Sequence, residues 1–174
     1  LRVCLPEARV LAAIGGGDGL RLDGQFSHTA GVTVEGYREY SATSIGAAQV
    51  VASAANPWYT AATNFVDATT DGAATLGTAP GLPVRFTPGI DVRSVGDLTL
   101  AADWNVAAWN YLGVAPTISL RAAGNLQLNR SLSDGFASLA AGAAGYSLPF
   151  VPVDSASYRL VAGASLAAVD PLAI

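Results

Sequence analysis

The clearest order in this chain is an alternation of apolar and polar positions that recurs at a fixed spacing. Ile90-Asp-Val-Arg-Ser-Val-Gly-Asp-Leu-Thr-Leu100 aligns with Ile118-Ser-Leu-Arg-Ala-Ala-Gly-Asn-Leu-Gln-Leu128, each matching position lying 28 residues further on. Within a copy the apolar residues alternate, Ile90 and Val92 and then Leu98 and Leu100, the pattern of short strands with one face buried. Between them, Gly96-Asp97 and Gly124-Asn125 have the chemistry of a tight corner, where φ turns positive and a short polar side chain bonds the backbone. A third copy runs from Tyr158 to Leu166 with one extra residue after Gly163. A fainter one is read at Val10 to Leu22, around Gly15-Gly-Gly-Asp-Gly19.

Strand pairs this short cannot bury their own apolar face, whereas stacked copies can, each strand about 4.8 Å from its counterpart. The pattern predicts an all-β fold, a right-handed parallel β-helix (β-solenoid) of roughly six or seven turns and about 30 Å length. Residues 1–174 read as a single segment of it, cut from a longer protein because the chain starts at Leu1 without Met. Two stretches break the period. Residues 41–80 form an excursion with room for a short helix: Asn56-Pro57 is an N-cap followed by proline at the first helical position. Ala61, Ala62, Phe65, Ala68, Thr69 and Ala73 keep approximate helical spacing, and Gly77 is placed to end it. Residues 137–155, small and apolar with Pro149 and Pro152, read as a loop insertion.

Composition agrees with an extended, backbone-rich surface. Only 13% of residues are charged against 51% hydrophobic, where soluble domains usually carry about 25% charge. The net charge of −4 and the scattering of the basic residues, all nine of them Arg, argue against nucleic acid, which needs a concentrated basic surface. No run approaches the ~18 consecutive apolar residues of a membrane helix, and no secretory leader is visible. Cys4 is the only cysteine, so no internal disulfide forms.

Candidate chemistry is sparse. Gly15-Gly-Gly-Asp-Gly19 lacks the Lys of a phosphate-binding loop, and a calcium nonapeptide would need Gly where Asp18 stands, so the segment reads as a turn. Asp91, Asp97 and Asp103 recur every six residues, and cleavage of a polysaccharide requires carboxylates converging on one substrate. Asp97, however, matches Asn125 of the next copy and Asp91 matches Ser119, which points to turns or a solvated face. His28 is the only histidine; with Ser27 and Asp23 nearby it makes neither a zinc set nor the geometry of a triad. Asn129-Arg130-Ser131 fits a glycosylation sequon at chance frequency, and Ser133-Asp134-Gly135-Phe136 reads as a turn. The candidate ligand contacts are Trp104, Trp109 and Tyr111, either an exposed sugar platform or, the preferred reading, packing in a corner. No catalytic residue, cofactor or metal is expected, and the chain is not expected to be an enzyme.

Pro88 to Trp104, Leu120-Arg-Ala-Ala-Gly-Asn-Leu126, Ser131 to Phe136, Tyr158 to Gly163 and Asp170-Pro171 together resemble a module of filamentous-haemagglutinin-family exoproteins of proteobacteria. The resemblance covers roughly Pro88 to Pro171. It implies two-partner secretion through an outer-membrane transporter, engaged by a region not in this chain, because Asn56-Pro57-Trp58 does not supply the family's Asn-Pro-Asn signatures. It further implies a secreted, cell-surface location and a stalk or adhesion role toward a receptor or glycan on host or bacterial cells. Relatives are also labelled for haem utilisation or contact-dependent inhibition. Open strand edges would favour end-to-end self-association. The alternatives are a carbohydrate-active β-helix, lyase or hydrolase, and a phage or autotransporter β-solenoid.

Overall fold

A computed structural model describes residues 1–16, 20, 31–70, 72, 82–134 and 153–167. In it the 28-residue offset is the register of two strand pairs. Strand β4 (Val84–Ser94) runs parallel to β7 (Thr117–Ala122), with Ile90 opposite Ile118 and Val92 opposite Leu120. Strand β5 (Leu98–Leu100) runs parallel to β8 (Leu126–Leu128), with Leu98 opposite Leu126. The corners between them stack as well. Asp97 Oδ1 accepts from the Asn125 backbone N–H at 2.7 Å and from its side-chain amide at 3.2 Å. A Cβ on Gly124 would collide with that carboxylate, so the close approach of the corners requires glycine there. The third copy is β10 (Ser157–Ala162), which lies on β7 with Tyr158 opposite Ile118 and Leu160 opposite Leu120.

The largest sheet has five parallel strands in the order β1 (Arg2–Pro6), β2 (Val32–Ser41), β4, β7, β10. A three-stranded parallel sheet joins β3 (Ser44–Ile45) to β5 and β8, and β6 (Trp104–Asn105) pairs with β9 (Leu132–Ser133). Three α-helices are present among the described residues: α1 (Glu7–Ile14), α2 (Ala47–Val50) and α3 (Pro57–Thr69).

The fold is therefore mixed α/β, which corrects the expectation of an all-β, right-handed parallel β-helix. Helices α1 and α3 are part of the core rather than decoration. Val10 and Ala13 of α1 and Phe65 of α3 close a core with Val32, Val34 and Phe86 of the main sheet. The fainter repeat copy read at Val10 to Leu22 begins as helix: Glu7, Val10 and Ala13 are the buried positions, three residues apart, in a stretch rich in alanine. Helix α3 starts where the sequence places it, with Asn56 Oδ1 accepting from the Trp58 N–H at 3.0 Å and Pro57 in the first turn. It ends at Thr69, short of Gly77. Gly36 receives the Phe65 ring on its bare Cα, where a Cβ would collide with it; this seats α3 on the sheet.

A second core lies between the repeats, made of Ile90, Val92, Leu98, Leu100, Ile118 and Leu120 with Trp58, Trp104 and Trp109. Gly17 to Gly19, Asp23, Ser27, His28, Gly77 and residues 137–152 of the loop insertion lie outside the described residues. Among the described residues, no helix is long and apolar enough to cross a membrane.

Candidate functional site

The structure gathers the aromatic candidates but buries them. Trp104 is 0% and Trp109 2% exposed, their ring centroids 5.3 Å apart. Tyr59 meets Trp109 edge-on at 5.3 Å, Tyr40 stacks on Trp58 at 4.7 Å, and Trp109 Nε1 donates to the Val50 carbonyl at 2.9 Å. An exposed sugar platform built on Trp104 and Trp109 is thereby corrected: these rings are core. Tyr111 stands apart, half-buried, its hydroxyl donating to Asp67 Oδ2 at 3.4 Å. That hydrogen bond, with the charge of Asp67, raises the phenol above its usual value.

The three spaced aspartates separate. Asp97 and Asp103 cap corners, Asp103 Oδ1 accepting from the Ser131 N–H at 2.9 Å. Asp91 does something else. It sits in a row that crosses four strands, Glu39, Asp91, Ser119 and Arg159 on β2, β4, β7 and β10. The row two residues along holds Arg93 opposite Arg121. Strand alternation points these side chains away from the repeat core and predicts a solvated face. Instead Glu35 and Arg121 are 1% exposed, Ser119 4% and Asp91 5%.

The burial comes from side chains of the two outermost strands, which meet over this face. Arg2 of β1 donates to Thr117 of β7 and to Ser157 of β10. Arg159 of β10 donates to both Glu35 oxygens on β2, at 2.7 and 2.6 Å, and lies 3.6 Å from Cys4 Sγ on β1. A flat sheet would hold its first and fifth strands roughly 19 Å apart, more than these side chains can bridge, so the sheet curls toward its polar side. The curl encloses a cleft of about 480 Å³, lined among others by Tyr37, Asp91, Ser119, Arg121 and Arg159. Gly89 leaves the room: a Cβ there would lie 2.8 Å from Glu35 Oε1 and 2.9 Å from Tyr37 Cβ.

Charge is matched inside the cleft. Burial by itself would raise the Glu35 carboxyl, but the Arg159 hydrogen bonds and charge, helped by Arg2 and the Cys4 thiol, hold it below the usual carboxylate range. Arg93 bridges Asp91 at 2.7 Å and Glu39 at 2.8 Å. Arg121 lies 3.9 Å from Asp91 Oδ2 and donates to the Ser165 carbonyl at 3.3 Å. Partial burial of its sulfur, then the Glu35 charge, push the Cys4 thiol up, which keeps it protonated and a poor nucleophile at neutral pH. Glu39 and Asp91 converge on Arg93 rather than on a space for substrate, the opposite of what acid/base cleavage of a sugar requires.

Among the described residues, no group of three metal-ligating side chains is placed to hold an ion. What the arrangement offers is hydrogen bonding to something held in the cleft. Sequence reading passed over Glu35, Ser119, Arg121 and Arg159. One signal was present: Arg93 falls on Arg121 in the repeat alignment, a charged position kept inside an apolar alternation. No protein-family model matches the chain, and no curated protein or solved structure matches it.

Proposed function

We propose that this chain is a non-catalytic structural and interaction module of a secreted bacterial surface protein of the filamentous-haemagglutinin type, serving attachment to a partner surface. The observation that carries the non-catalytic part is the pairing of the buried acids. Glu7, Glu35 and Asp91 each face an arginine, at 2.6 Å from Arg38, 2.6 Å from Arg159 and 2.7 Å from Arg93 respectively. Carboxylates so paired are committed to their arginines, whereas a general acid needs free access to its substrate.

Direct stacking of the repeats supports the structural role, since the first two copies are held together by backbone ladders and the Asp97 and Asp103 corner bonds, and the third by its ladder to β7. The motifs between Pro88 and Pro171 support the surface location. The test has two arms on the purified chain. Fluorescently labelled protein is expected to attach saturably to bacterial or epithelial cells, and incubation with polygalacturonate is expected to release neither reducing ends nor unsaturated products. Bond cleavage, or no saturable attachment to either cell type, overturns the reading.

A further inference from the structure

Three buried polar atoms on the curled face have no hydrogen-bond partner among the described residues: Asp91 Oδ1, Ser119 Oγ and Arg121 Nε. All three residues line the same cleft and are at least nine-tenths buried. Asp91 and Ser119 are register partners on adjacent strands, and Arg121 follows two residues along the same face of β7. Buried polar groups are satisfied in the great majority of cases, so three neighbouring exceptions around one cavity mark a place where something else completes the bonds.

We infer that the cleft binds a neutral polyhydroxylated ligand, the chemistry of a single hexose residue of a glycan. The free groups specify what fits. Asp91 Oδ1 is an acceptor, the Arg121 Nε–H a donor, and the Ser119 hydroxyl both. A ligand must therefore donate at one point and accept at the next, within the few ångströms that separate adjacent strands. Neighbouring ring hydroxyls do this, because each can give and receive a hydrogen bond.

Charge narrows the choice further. Glu35, Glu39 and Asp91 are balanced by Arg93, Arg121 and Arg159 among the lining residues. An anionic or cationic ligand would gain no net attraction and would lose its hydration on entry. Tyr37 lines the same cleft and offers a ring to pack against an apolar sugar face. The volume of about 480 Å³ lies within the range of small-ligand sites.

The inference deepens the interaction-module reading and rests on it, naming the class of ligand for this face. The probes are glucose, galactose, mannose and N-acetylglucosamine, with glucuronate as the charged counterpart, titrated calorimetrically into the intact chain. At least one neutral sugar is expected to bind with a dissociation constant of the order of 1 mM, the scale for a ligand of about a dozen heavy atoms. Glucuronate is expected to bind no tighter.

Ser119→Ala is expected to weaken that binding about tenfold or more. It should leave thermal stability unchanged or raise it, because an unpartnered buried hydroxyl is removed. The conservative Ser119→Thr variant, which keeps the hydroxyl, is expected to retain part of the affinity. The assignment is overturned if no neutral sugar binds, if Ser119→Ala binds as well as the parent, or if glucuronate binds more tightly. A fall in melting temperature for Ser119→Ala without any sugar binding would instead assign the three atoms to ordered water. Sugar binding lost while cell attachment persists overturns this ligand alone; loss of cell attachment overturns the module reading itself.

Discussion

The five-stranded sheet buries residues on both of its faces, by opposite chemistry. One carries Ile90, Val92, Ile118 and Leu120, all at 2% exposure or less, against the repeat core. The other carries Glu35, Asp91, Ser119 and Arg121 at 5% or less. The apolar face is held by volume: any side chain of the right size and shape keeps it. The polar face is held by pairing: Arg159 on β10 reaches Glu35 on β2, and Arg93 reaches Asp91 from two residues along the same strand. Burial alone therefore says little about what a position tolerates. Two alternating residues of β4, Ile90 and Asp91, are neighbours in sequence and subject to different rules.

The comparison can be broken first on the apolar side. Phe65, 1% exposed, fills the space over Gly36, so Phe65→Ala is expected to cost about 3–5 kcal/mol. Because no ionisable group is involved, the loss measured by denaturant titration should be the same at pH 7 and pH 4. A pH-dependent loss would mean that the two faces are not separable.

The polar face is expected to fail with a different signature. Glu35→Gln removes the carboxylate shared by Arg159 and Arg2, whose side chains are 18% and 37% exposed and so partly able to turn to water. That limits the expected loss to about 1–3 kcal/mol at neutral pH. The sign follows from a folded pKa held below the ordinary 4.5. The stabilisation is fully present above that value and is lost as pH falls through the lower, folded value. The gap between parent and variant is therefore expected to be constant from pH 7 to about pH 5 and to close below pH 4.5, the ordinary value. A gap that widens on acidification would reverse the assignment.

The smallest expected effect lies at the corners that both faces share. Asp97→Ala removes the acceptor for the Asn125 N–H, 28 residues away, and is expected to cost about 1 kcal/mol. Hydrogen exchange would localise the change: the Asn125 amide should lose protection while the amides of Ile118 and Leu120 keep theirs. Loss of protection throughout β7 would show that the corner, rather than the strand, holds the copies together.

Much of the register could be read along the chain. The 28-residue offset, the Gly-Asp and Gly-Asn corners and the Asn56-Pro57 helix start are all local signals with counterparts in the structure, except that the positive φ expected at the corners is found at Gly163 and not at Gly96 or Gly124. The helical content was less legible. Val10 to Ile14 fits the start of a faint repeat copy as well as a helix, because a short alanine-rich apolar stretch suits either period, and packing against Val34 and Phe65 decides it. For Trp104 and Trp109 the preferred reading, packing in a corner, agrees with their burial, while the alternative of an exposed platform does not.

By itself the sequence determined the pairing and register of the repeat strands, β4 with β7, β5 with β8 and β7 with β10, because repeated side-chain patterns and turn residues act over a few positions and copy that local order from one repeat to the next. Only the tertiary structure decided that the polar row is buried. The contacts that cover it join Arg159 to Glu35 across 124 residues and Arg2 to Ser157 across 155. An alternation of apolar and polar residues states which side a residue faces; whether that side meets water depends on how far the sheet curls.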